Sequence, residues 1–76
     1  MAEYTEAKKV QVFATPGWFI VRAPRDDGFA EDLRELPYYD RKFCYTIGAW
    51  AIREAHKKVL IVSLKKRYSL KKVAIN

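Results

Sequence analysis

Between Lys9 and Ala14 apolar and polar residues alternate in a run rich in Val and Phe, and a second alternating run, Trp18 to Ala23, follows Thr15-Pro16-Gly17. Period-two alternation on either side of a Pro-Gly turn predicts a β-hairpin. Alternation places Val10, Val12, Phe19 and Val21 on one face and Gln11, Phe13, Trp18, Ile20 and Arg22 on the other, so both faces carry aromatic rings. Pro24 ends the second strand. Asp26 and Asp27 then offer capping oxygens, Glu31 and Asp32 suit the positive end of a helix, and Phe29, Leu33 and Leu36 recur at helical spacing as a buried stripe. Pro37 stops this short helix.

Arg41 to Thr46 and Ala49 to Arg53 read as a second hairpin around Ile47-Gly48, with Gly48 able to take a left-handed backbone. Phe43 and Tyr45 fall on one side with Trp50 and Ile52, and Lys42, Cys44, Ala51 and Arg53 on the other. Phe43 and Trp50 are expected in the core. From Glu54 to Tyr68 the spacing favours a helix with Leu60, Leu64 and Tyr68 inward and Lys57, Lys58, Lys65 and Lys66 in solvent. Its β-branched middle, Val59-Leu60-Ile61-Val62, is also compatible with a buried strand. Ser69 to Asn76 is either a frayed tail or a short edge strand on Val73-Ala74-Ile75. Together these elements predict one α+β domain over residues 1–76, a small antiparallel sheet of two hairpins with two helices on one face (ββαββα), frayed over 1–7 and 70–76.

Seventy-six residues are too few for two cores. An apolar share of 50% is enough for one core and argues against a disordered chain. Cys44 is the single cysteine, so no intrachain disulfide and no Cys-rich zinc site can form. No apolar run is long enough to span a bilayer, and MAEYTEAKK lacks the apolar centre of a signal peptide, which leads us to expect a cytoplasmic protein with no membrane partner. Fifteen Lys and Arg against nine Asp and Glu give a net charge of +6, which favours polyanionic partners. The charge is polarised: acids concentrate between Asp26 and Asp40, whereas from Arg41 onward Glu54 stands alone among ten basic residues.

Candidate chemistry is sparse. Catalysis needs a nucleophile with its base, paired carboxylates in a cleft, or clustered metal ligands. His56, the sole histidine, sits among charged neighbours at a helix start, and Cys44 has no neighbouring cue for activation. Glu31 and Glu35 share the wet face of the first helix. Gly17, Gly28 and Gly48 are scattered and form no phosphate-cradling loop. The expectation is no catalytic residue, no metal and no cofactor.

One wider pattern runs from Phe19 to Tyr68: Phe19-x-Val21 and Pro24, Phe29-x-x-x-Leu33-x-x-Leu36-Pro37, Arg41-x-Phe43, and Trp50-x-Ile52 leading into Leu60, Leu64 and Tyr68. In this order and spacing, including seven positions from Phe43 to Trp50, the chain resembles the HARP-type domain, a small module beside the motor of annealing helicases with bacterial and phage relatives. Cys44 stands where that family commonly has an acid, and these 76 residues hold no Walker loop of a motor. The resemblance implies an accessory fold that binds structured or forked DNA through its sheet and nearby basic side chains. With the basic balance of the chain the expected partner is nucleic acid, and the resemblance alone puts DNA before RNA. Lys65, Lys66, Arg67, Lys71 and Lys72, joined by Arg22, Arg41, Lys42 and Arg53, are the expected phosphate contacts, and Trp18, with Phe13 and Ile20, would stack on unpaired bases. A different class of function also fits: a factor, such as a small phage or mobile-element protein, that docks on a host or helicase protein through the acidic face of Glu31, Asp32 and Glu35 and the basic half.

Overall fold

A computed structural model describes residues 10–76. The expected fraying over 1–7, and Lys9 at the start of the first strand, lie outside the described residues. Strands β1 (Gln11–Thr15) and β2 (Trp18–Arg22) form the first hairpin around Pro16-Gly17. Helix α1 (Asp27–Arg34) follows, then a 3-10 turn at Tyr38–Asp40, strands β3 (Arg41–Cys44) and β4 (Ala49–Arg53), a second 3-10 turn at Glu54–His56, and helix α2 (Lys57–Tyr68). The protein is thus an α+β domain, as its periodicities predict. All strand pairings are antiparallel and the order is β1-β2-β4-β3, so the hairpins join through their second strands.

Local chemistry explains the boundaries. The Asp26 carboxylate accepts the Phe29 backbone N–H at 2.8 Å and caps α1. The second turn takes four residues, Tyr45 to Gly48, rather than the two anticipated. Gly48 supplies the left-handed backbone (φ +63°) and donates its N–H to the Cys44 carbonyl. Tyr45 is therefore a loop residue. The β-branched run Val59 to Val62 is helical, because α2 must set Leu60 and Leu64 one turn apart against the sheet.

One core joins Val12, Phe19, Val21 and Ile52 of the sheet to Phe29, Leu33 and Leu36 of the first helical segment and Leu60 and Leu64 of α2. Burying each large aliphatic side chain contributes roughly 1.5–3 kcal/mol. Both helices therefore cover the same sheet face. The chain's end is docked: Leu70, Val73 and Ile75 pack against this core, Ile75 pairs with Val12 in a parallel bridge, and Asn76 exchanges backbone hydrogen bonds with Val12 and Ala14. Of the two readings of Ser69 to Asn76, edge pairing is the one seen, reduced to a bridge at Ile75, since Leu70, Val73 and Ile75 are half-buried and the tail's backbone groups find partners along β1.

Phe43 and Trp50 depart from expectation. They do share the inward face, yet Phe43 is 37% exposed and Trp50 only half-buried, because α1 and β3 diverge and leave this corner of the face open.

Candidate nucleic-acid interface

The strand register assigns the opposite face of the sheet. Directly paired residues share a face, and Phe13, Ile20, Ala51 and Lys42 form one row across all four strands. Thr15, Trp18 and Arg53 form a second row, and Gln11 with Arg22 begins a third. Each row crosses strands spaced about 4.8 Å apart, so the four-strand row spans roughly 14 Å. Phe13, Trp18 and Ile20 are half-buried and Arg22, Lys42 and Arg53 exposed. Of the outward strand residues Ala49 alone is buried, and the others are half-buried or exposed.

Two cations stand near the Trp18 ring. The Arg53 guanidinium lies 4.2 Å from the indole centroid and the Lys42 ammonium 5.9 Å from it, the attraction of a cation for a ring face. Arg53 is steadied by Asp40, whose Oδ1 lies 3.9 Å from its Nε, and the same carboxylate meets His56 Nε2 at 2.9 Å through Oδ2. Asp40 thus orients a cation over Trp18 and engages the one histidine. Sequence reading passed over Asp40, because its partners lie 13 and 16 positions ahead and meet it only when the two 3-10 turns come together.

The ten candidate contact residues are divided by the fold. Trp18, Arg22, Lys42 and Arg53 gather on the outward face. Arg41 does not: it pairs with Ile52 on the inward face and its Nε donates to the Leu36 carbonyl at 3.1 Å. Lys65 and Lys66 are exposed but belong to α2, in the layer on the other side of the sheet. Arg67 is engaged with Asp32 on α1, Nε to Oδ2 at 3.0 Å and Nη2 to Oδ1 at 3.1 Å. Lys71 and Lys72 are exposed on the tail that returns to the β1 edge. For Lys65, Lys66 and Arg67 the expected meeting with the outward sheet face therefore does not occur, since the helix carrying them supplies the core on the opposite side.

Asp32 likewise leaves the acidic docking surface anticipated for it with Glu31 and Glu35. It accepts from Ser63 Oγ at 2.7 Å as well as from Arg67, and these donors hold its carboxyl at about 2, below the usual 3.8. Cys44 is exposed. Among the described residues no group of three or more His, Cys, Asp and Glu side chains is placed to hold a metal ion, and no helix is long and apolar enough to cross a membrane. No protein-family model, curated protein or solved structure matches the chain.

Proposed function

We propose that this protein is a non-enzymatic nucleic-acid-binding module that takes single-stranded or forked DNA across the sheet face opposite the two described helices. The observation that carries this reading is the make-up of that face. Its eleven outward strand positions (Gln11, Phe13, Thr15, Trp18, Ile20, Arg22, Lys42, Cys44, Ala49, Ala51 and Arg53) hold three cations and not one carboxylate. The nearest described carboxylate, Asp40, is engaged with Arg53 and His56 at the end of the face, while Trp18 and Phe13 offer ring surface on which bases stack without regard to sequence. The preference for DNA over RNA rests on the likeness to HARP-type domains. An exposed, unpaired Cys44 suits a reducing compartment, and we place the protein in the cytoplasm.

Fluorescence anisotropy with labelled oligo-dT, forked DNA and blunt duplex over a salt series tests the reading. With three cations engaged, log affinity for single strands should fall with log salt at a slope of about −2. Forked and single-stranded probes should bind more tightly than the duplex, whose bases are already stacked. Failure of oligo-dT to bind at low salt, or affinity indifferent to salt, would falsify the proposal.

A further inference from the structure

On the helix side of the sheet, where α1 and β3 diverge, lies a groove of about 590 Å³. It opens on the opposite side of the sheet from the face assigned to nucleic acid, and Lys42 on the edge strand borders both. Ala30 and Arg34 of α1 form one wall, Arg41 and Phe43 of β3 the other, and Trp50 and Tyr45 complete an aromatic ledge. The ledge is continuous: Phe43 meets Trp50 edge-on at 5.2 Å between centroids and Tyr45 at 4.9 Å. Tyr45 is 89% exposed, and Tyr38 and Tyr39 at 77% and 66% extend the exposed aromatic surface in the same stretch of chain. Large exposed rings beside arginines are the composition of protein-recognition hot spots. β3 is also an outer strand of the sheet, and its far edge carries no strand among the described residues.

The charges choose among occupants. Arg25, Arg34, Arg41 and Lys42 line the groove against two acids, Asp26, which caps α1, and Asp27, which pairs with Arg25 at 3.5 Å. With Asp26 and Asp27 both engaged, Arg34 and Arg41 set the charge beside the aromatic ledge, and that charge complements acids. A short protein segment suits both the charge and the ledge: its acids lie toward Arg34 and Arg41, an apolar anchor rests on the rings, and it can run beside the edge of β3 with alternate side chains turned to the groove.

We infer that the groove between α1 and β3 docks an extended, acidic segment of a partner protein bearing an aromatic or large aliphatic anchor. The test is selection of short random peptides displayed on phage against the folded full chain, followed by anisotropy on the winning peptide made synthetically. Enriched sequences should combine acids with an aromatic or large aliphatic residue. Tyr45→Ser and Arg34→Glu, both at exposed positions, should each weaken the peptide about tenfold or more while circular dichroism stays unchanged. Trp18→Ala and excess oligo-dT should leave peptide binding as it was, even if oligo-dT does not bind at all. No enrichment of acidic peptides, or winners indifferent to both groove variants, overturns the inference. Competition by oligo-dT also overturns it and gives the groove to the nucleic-acid path.

Discussion

Arg67, in the last turn of α2, grips both carboxylate oxygens of Asp32 on α1 with two parallel hydrogen bonds of 3.0 and 3.1 Å. The two residues are 35 positions apart and their side chains are 33% and 23% exposed, so this is a half-sheltered, two-pronged tie between the helices. Ser63, itself buried, adds a third donor to the same carboxylate. Asp32→Ala would leave the Ser63 hydroxyl buried without its acceptor. It should cost about 2 kcal/mol, or roughly 10 °C in Tm, measured by thermal denaturation.

Gly28 makes the approach of Arg67 possible. A Cβ there would fall 2.7 Å from the guanidinium carbon, so Gly28→Ala should push the arginine off Asp32. In the wild-type background the helical gain of alanine is therefore set against a lost ion pair. In an Arg67→Ala background nothing is displaced, and the same Gly28→Ala change should stabilise by about 0.5–1 kcal/mol. A double-mutant cycle by urea denaturation checks this; equal effects in both backgrounds would show that the contact carries no coupling.

Acid should loosen the same tie. The folded carboxyl of Asp32 titrates at about 2 because Arg67, then Ser63, donate to its ionised form, whereas the ordinary value is 3.8. The unfolded chain therefore takes up this proton first, and the stabilisation, complete above about pH 4, is lost as pH falls toward 2. Stability curves measured across that interval should be shallower for Asp32→Asn than for the wild type.

The alkaline side should show the opposite sign at Tyr68. Burial, then the neighbouring Asp26 carboxylate, raise its phenol to about 12 from 10.0. Its hydroxyl donates to the Pro24 carbonyl, and its ring meets Phe29 edge-on at 5.5 Å. Its contribution is present below about pH 10 and lost as pH rises through 12. Tyr68→Phe keeps the ring contact and should cost about 1 kcal/mol at neutral pH while flattening the alkaline loss. Ultraviolet titration of phenolate should show one tyrosine fewer ionising near pH 12.

At the proposed interface, Trp18→Ala should weaken oligo-dT binding by about 1–3 kcal/mol, some tenfold to a hundredfold. Lys65→Ala combined with Lys66→Ala should change it by less than about a factor of two, because those side chains stand in the helix layer. If the lysine pair proves the more damaging, the nucleic acid lies on the helices and the assignment of the sheet face fails.

Where neighbouring positions decide the outcome, the sequence was readable. Alternation in Val10–Val12 and Trp18–Arg22 separated the two faces of the first hairpin, Asp26 marked the cap of α1, and the spacing of Phe29, Leu33, Leu36, Leu60 and Leu64 marked what is buried. Trp18, Arg22, Lys42 and Arg53 were legible as outward residues for the same reason. Phe43 and Trp50 were read one step too far: alternation states which face a side chain takes, not whether a helix arrives to cover it.

The residue order of this chain determined by itself an α+β domain with a basic, acid-poor second half, and the side of the sheet on which each strand residue stands, because periods of 2.0 and 3.6 are properties of the backbone. Only the tertiary structure decided which strands are neighbours, that α2 carries Lys65 and Lys66 away from the outward face, that Asp32 and Asp40 are bound to partners far along the chain, and that a groove remains beside β3. Those outcomes depend on where two hairpins and two helices settle to bury one shared core. That burial is a sum over contacts distant in sequence, and no local pattern records it.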